Sequence, residues 1–215
     1  MILVRLLRFA FRLLYHQFAW TYDFVAWIVS AGQWKKWVLS MVPHLDGAER
    51  ILEIGHGPGH LQERLLRDGR RVVGVDLSPQ MGRMAGRQLT RLGLAPRLVR
   101  ADAQQLPFPG SAFDSVVATF PAEYIAEPAA WGSFYRVLAD GGRLLVLLGA
   151  TPLGGGLLRR VSRLLFRITN QQIKEPGDVI RARFTSAMAE SGLEIEFRRA
   201  EVNRSTVFFI LGKKG

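Results

Sequence analysis

The chain predicts an α/β fold built on a mostly parallel sheet, and three observations lead there. Short apolar runs recur at 50–55, 71–76, 96–101, 113–119 and 142–149, and helical stretches at about 59–68, 79–92 and 128–138 fall between them. A strand–helix–strand rhythm is the signature of parallel pairing, because the chain must cross back to the same end of the sheet before the next strand begins. At 215 residues the chain is long enough to bury one full core and short enough to be one α/β unit.

Residues 1–45 precede the first strand and read as a helical cover. At ~100° per residue Arg5, Arg8, Arg12 and His16 fall within about 80° of one another, and Ile2, Leu3, Leu6, Leu7, Phe9, Phe11, Leu13 and Leu14 fill the rest of the wheel. Arginine interrupts the apolar stretch too often for a bilayer span of ~20 residues, or for the apolar centre of a secretory signal. The expected location is therefore cytoplasmic, with any lipid contact made peripherally on the inner face of the membrane.

The first two strands carry the most informative residues. Ile51-Leu52-Glu53-Ile54 runs into Gly55-His56-Gly57-Pro58-Gly59, and Val72-Val73-Gly74-Val75 ends on Asp76. An apolar run feeding a glycine turn, with a carboxylate closing the next run, suits a nucleoside: the backbone approaches closely and the acid accepts the ribose hydroxyls. The glycines alternate instead of following G-x-G-x-x-G, and Glu53 sits two residues before the first of them. A carboxylate there repels a diphosphate and suits a cationic ligand carrying an ammonium group. The pattern points away from a dinucleotide and towards S-adenosylmethionine. Asp76 would accept both ribose hydroxyls, and Leu77 and Met81 would pack near the adenine.

Further along, Ala101-Asp102-Ala103 closes the third run, Phe113–Thr119 is the fourth, and Leu193–Arg199 and Ser205–Leu211 read as two more strands joined by a short polar turn. A second amphipathic basic stretch lies within an insertion at about 152–175. There Leu157, Leu158, Val161, Leu164, Leu165 and Ile168 share one arc and Arg159, Arg160, Arg163 and Arg167 the opposite one. Gly154-Gly155-Gly156 ahead of it is a loop or a hinge. With no cysteine there is neither a disulfide nor a thiolate centre, and His16, His44, His56 and His60 are too scattered for a metal site.

Glu53-x-Gly55-x-Gly57-x-Gly59, Asp76, Ala101-Asp102-Ala103, Leu106-Pro107-Phe108 to Phe113-Asp114 and Leu138-x-x-Gly141-Gly142 resemble, in order and interval, the successive motifs of class I S-adenosylmethionine-dependent methyltransferases. The resemblance implies a Rossmann-like sheet of seven strands, mostly parallel, closed by a C-terminal antiparallel hairpin and flanked by helices on both faces. It also implies that residues 46–215 form the methyltransferase domain. Glu53, Gly55, Gly57 and Gly59 would face the methionine moiety, Asp102 and the Ala103 N–H would meet the adenine edge, and Thr119 and Tyr22 would close on the cofactor. Tyr22-Asp23, Ser30, Gly32, Trp37 and Ala103-x-x-Leu106-Pro107-Phe108 further resemble the ubiquinone/menaquinone biosynthesis C-methyltransferases. The chain departs from that group at Ala26, Trp27 and Thr119–Tyr124, which leaves the substrate open between a quinone-like ring and a phospholipid headgroup. A ring carbon or an ammonium needs a base, and Glu123 and Tyr124 are the candidates, with His56 and His60 as outsiders on the glycine loop.

The net charge of +11 is unevenly spread: residues 1–45 carry five Lys/Arg against one acid, residues 143–174 six against none, and residues 46–142 balance. A basic face backed by Leu and Phe is the pattern of a helix in the membrane interface, so the expected partners are a small lipophilic substrate and an anionic membrane surface. An ordinary surface helix also has one apolar and one charged face. An RNA methyltransferase using the basic surface is the alternative, although the arginines alternate with leucine and not with stacking aromatics. A non-catalytic, cofactor-binding membrane adaptor is a third reading. The sequence leaves the oligomeric state open.

Overall fold

The computed structural model of the chain describes residues 32–121, 123–152 and 188–215, with Glu123 and Pro152 described in their backbone only. Tyr22, both amphipathic basic stretches and Gly154–Gly156 lie outside these residues. Helix α1 (Trp34–Leu39) and a 3-10 turn (Val42–Leu45) lead into β1 (Arg50–Ile54), α2 (His60–Arg67), β2 (Arg71–Asp76), α3 (Pro79–Arg91), β3 (Arg97–Arg100) and β4 (Phe113–Thr119). A second 3-10 turn (Glu123–Ala126), α4 (Pro128–Val137), β5 (Leu138–Pro152), β6 (Leu193–Glu201) and β7 (Ser205–Lys214) complete the described chain.

All seven strands form one sheet in the order β3-β2-β1-β4-β5-β7-β6. The first five pair in parallel, and β7 runs antiparallel between β5 and β6. The fold class and the closing hairpin are as the sequence predicts. β5 begins four residues before the expected start at 142. Leu138 pairs with Phe113, the chain turns through Gly141 (φ 74°), and pairing resumes with Arg143 opposite Ser115.

Alternation along the strands divides the core in two. Ile51, Val72, Val117, Leu145, Leu147 and Phe209 face Trp37, Leu45, Leu61 and Leu65 on one side; Leu52, Ile54, Val116, Ala118, Leu144 and Val146 face Trp131, Phe134 and Val137 of α4 on the other. A strand buried on both faces has no room for the polar alternation of a half-exposed sheet, which is why these runs read as continuously apolar. α2 therefore covers one face and α4 the other. The connections leaving the neighbouring strands β1 and β4 depart to opposite faces, and a crevice opens at their carboxyl ends, the place where open α/β sheets bind ligands.

Candidate functional site

The crevice is built from the chain turning sharply at the end of β1. Gly55 and His56 donate their backbone N–H groups to the Val75 carbonyl at 2.7 and 3.2 Å, which folds the loop back onto β2. Asp76 completes the hold. Its Oδ2 accepts the Gly57 N–H at 2.9 Å and its Oδ1 the Ser78 N–H at 2.8 Å. Ser78 in turn caps α3, its Oγ accepting the Met81 N–H at 3.3 Å. The sequence points Asp76 to a ligand, with a cap on the following helix as the other reading; the structure adds that it clamps the glycine loop to β2 and leaves further lone pairs on each oxygen.

Two of the glycines are required by geometry. Gly59 caps α2 at φ 92°, and a Cβ there would lie 3.1 Å from the Ala85 Cβ and 3.3 Å from Leu89, so a side chain would push α3 away from α2. Gly55 has φ 70°, and its Cβ would stand 3.3 Å from the Tyr124 hydroxyl. Tyr124 reaches this point from the 3-10 turn after β4, so the loop after β1 and the segment after β4 meet across the crevice.

Four buried polar groups, those of Glu53, Gln62, Tyr124 and His56, gather near that meeting point. Glu53 is 1% exposed at the end of β1, and its Oε2 accepts the Gln62 Nε2–H from α2 at 2.8 Å. Burial pushes its pKa up to about 8; the Gln62 hydrogen bond opposes the shift and the Asp76 charge adds to it. The Gln62 Oε1 and the Tyr124 hydroxyl are buried with no hydrogen-bond partner among the described residues. Burial, then the charges of Asp76 and Glu53, push the Tyr124 phenol well above its ordinary value. His56 is held below its ordinary value by burial, against the pull of Asp76, while its Nδ1 lies 2.8 Å from the Gly57 carbonyl.

Thr119 ends β4, half-buried. Phe120, next in the chain, has φ 49°, donates its N–H to the Leu147 carbonyl at 2.8 Å, and stacks on Trp34 with ring centroids 4.0 Å apart. A non-glycine residue in this region is strained and held by its surroundings. Neither Phe120 nor Trp34 stands out in the sequence, and Gln62 could have been noticed there only as a polar residue between Leu61 and Leu65 on the apolar arc of α2.

Other expected ligand residues lie around the rim. Leu77 is 62% exposed although apolar, and its carbonyl accepts the Arg100 Nε–H at 3.1 Å. Met81 and Ala103 are buried. Asp102 is exposed, with Oδ1 accepting the Gln104 N–H at 2.9 Å. Glu123 opens the 3-10 turn that carries Tyr124. The structure thus brings Glu53, Gly55, Gly57, Asp76 and Tyr124 to one crevice. Among the described residues no cluster of acids and histidines could hold a metal ion.

Comparison with known proteins agrees with this geometry. A methyltransferase-domain family model matches residues 52–146. The chain is 38% identical over 157 residues to a demethylmenaquinone methyltransferase of Thermus thermophilus, covering 69% of this chain and 70% of that one. The chain belongs to the class I S-adenosylmethionine-dependent methyltransferases. It is also 32% identical over 148 residues to a ubiquinone/menaquinone biosynthesis C-methyltransferase of Enterobacter sp., covering 65% of this chain and about three fifths (59%) of that relative's length. The crystal structure of a putative S-adenosyl-L-methionine-dependent methyltransferase from Methanococcus maripaludis shares the fold, with a TM-score of 0.66 at 18% identity over 91% of each chain. S-Adenosylmethionine is thus the methyltransferase's cofactor. The crevice fits it: glycines leave room for close approach, an acid stands at the end of β2, and the buried Tyr124 hydroxyl lacks a partner that a polar ligand would supply.

An acid whose pKa rises on folding weakens the fold as pH climbs, because the unfolded chain ionises first. For Glu53 that window runs from about 4.5 to about 8. Urea unfolding of the ligand-free enzyme should show the wild type losing stability relative to Glu53→Gln by up to about 1.4 kcal/mol per pH unit across this window. A difference that does not change with pH contradicts the assignment.

Proposed function

We propose that the enzyme methylates a small lipophilic substrate with a quinone-like ring, working at an anionic membrane surface. The observation that carries the substrate reading is the aromatic ledge of Phe120 and Trp34 at the end of β4, in a chain whose relatives are named for quinone biosynthesis. Flat apolar rings stack on such surfaces with offset or tilted geometry. The departure at Thr119–Tyr124 from the pattern of that group favours a second reading, a phospholipid headgroup.

In this reading residues at the carboxyl ends of β1, β2 and β3 would hold the cofactor. Asp76 takes the ribose hydroxyls on its remaining lone pairs while keeping the glycine loop in place. Leu77 and Met81 flank the adenine, and Asp102 with the Ala103 N–H meets its edge. Glu53, Gly55, Gly57 and Gly59 enclose the methionine end, with Thr119 and Tyr22 closing over it. When bound, the cofactor supplies a methyl group made electrophilic by its sulfonium. The protein's part is alignment and exclusion of water. Tyr124, with its pKa raised by burial and by two carboxylates, keeps its proton and serves as a hydroxyl that positions the reacting groups. Glu123, its neighbour in the turn, takes the proton of the nucleophile.

The membrane reading rests on charge placement. Residues 46–142 balance by count, yet residues 77–101 hold five arginines and neither an acid nor an aromatic residue. Four of the eleven acids of residues 46–142 pair with other cations: Glu63 with Lys35 and Arg67, Asp68 with Arg64, Asp46 with Arg70, and Asp114 with Arg50. Arg83, Arg87 and Arg91 recur every fourth residue along α3, exposed, and make no ion pair among the described residues. An arginine row without aromatic neighbours suits lipid phosphates better than nucleic-acid bases, which call for stacking. The basic cover within residues 1–45 and the insertion at about 152–175 would add to this surface. No helix among the described residues is long and apolar enough to cross a membrane.

Incubating a bacterial lipid extract with the enzyme and methyl-labelled S-adenosylmethionine should place the label in a prenylated quinone, found by mass spectrometry, with Glu123→Gln lowering its yield. Label in phospholipid headgroups supports the second reading, and label in neither overturns both. Replacing Arg83, Arg87 and Arg91 by Gln should weaken sedimentation with phosphatidylglycerol vesicles roughly fivefold per arginine. Unchanged binding removes α3 from the membrane surface.

A further inference from the structure

Gln62 and Glu53 are almost fully buried, and their hydrogen bonding is incomplete. Gln62 is fully buried on α2 and gives one N–H to Glu53 Oε2, but its own carbonyl oxygen has no donor. An ionised carboxylate accepts only, and so leaves that oxygen unpaired. A protonated Glu53 carries the one O–H that the oxygen lacks. The group already bonded to Gln62 can thus supply the missing donor only in its protonated form.

The surroundings oppose a lone negative charge at Glu53. Asp76 approaches from the end of β2 with its own charge, Tyr124 comes from the turn after β4 as a neutral phenol, and His56 on the glycine loop is neutral through burial. No cation among the described residues pairs with Glu53. With no described cation in place, a cationic ligand is the partner that would balance a carboxylate there. The cofactor carries one net positive charge, with its sulfonium and ammonium against one carboxylate, and the thioether left after methyl transfer carries none.

We propose that Glu53, positioned by Gln62, reads the charge of the bound nucleoside by exchanging a proton with water. It is the neutral acid in the free enzyme, gives its proton to solvent when the sulfonium enters, and takes one back once the sulfonium has become a thioether. Each charge in the buried crevice is then balanced in turn: carboxylate with sulfonium, neutral acid with thioether. The pair thereby favours the reactant over the spent product, whose similarity in shape gives the glycine loop nothing to distinguish. This inference concerns the cofactor alone and stands whichever lipophilic substrate the enzyme methylates.

Proton release measures it directly. Calorimetric titration of the intact enzyme in buffers of different ionisation enthalpy counts the protons exchanged, with S-adenosylmethionine and S-adenosylhomocysteine as the two probes. With Glu53 titrating at about 8, the sulfonium should release about 0.9 proton at pH 7, and its affinity should tighten about 25-fold between pH 6 and pH 7.5. The thioether should release less than about 0.3 proton. Glu53→Gln should abolish the difference in proton count and flatten the pH dependence, and Gln62→Leu should alter the pH midpoint without removing binding. Equal proton counts for the two ligands, or a pH dependence that survives in Glu53→Gln, overturns the proposal. The wild-type counts decide the matter even where a variant fails to fold.

Discussion

The Asp76 carboxylate holds two N–H groups at once, one from the glycine loop and one from the start of α3, and the crevice takes its shape from that clamp. The loop after β1 would otherwise be free to follow any path its three glycines allow. Together with the Val75 carbonyl, which binds Gly55 and His56, the clamp fixes the loop against β2 and aims the N-terminal end of α2. Gly59 then lets α2 and α3 close on each other without a side chain between them. Hydrogen bonds to an ionised acceptor are shorter and stronger than neutral ones, so one buried-edge acid both shapes the loop and remains able to accept from a ligand.

On the other side of the crevice the segment after β4 brings unsatisfied groups instead of a clamp. Tyr124 presents a hydroxyl with no partner against Gly55, and Phe120 holds a left-handed backbone conformation between the Leu147 carbonyl and the Trp34 ring. Strain and unpaired polar atoms cost stability. Tyr124 and Phe120 place such costs on the segment that follows β4, next to the carboxyl ends of the strands, although Trp37 Nε1 and Ser115 Oγ are also buried without a partner among the described residues.

Much of this was legible in the sequence because the physics is local. A doubly covered parallel strand must be apolar throughout, so β1, β2 and β4 announce themselves, and the glycine spacing with its two acids marks the loop. The early start of β5 was not legible: Asp140-Gly141-Gly142 reads as a turn, and only pairing with Phe113 draws Leu138 into the sheet. The Gln62 partnership with Glu53 depends on the height of α2 above β1, a tertiary quantity. Phe120 is the harder case, since its positive φ is imposed by neighbours and not by its own side chain. Charge counts also misled at one scale, because a neutral total over residues 46–142 concealed the acid-free, arginine-bearing stretch 77–101, while Asp46, Glu63, Asp68 and Asp114 outside it pair with other cations.

The account stands on where the nucleoside sits. A crystal structure of the enzyme with S-adenosylhomocysteine should show the ribose hydroxyls on Asp76 and the homocysteine end between Gly55 and Tyr124, with the Gly57 N–H still on Asp76. A nucleoside bound away from the ends of β1 and β2, or one that leaves Asp76 untouched, would contradict it.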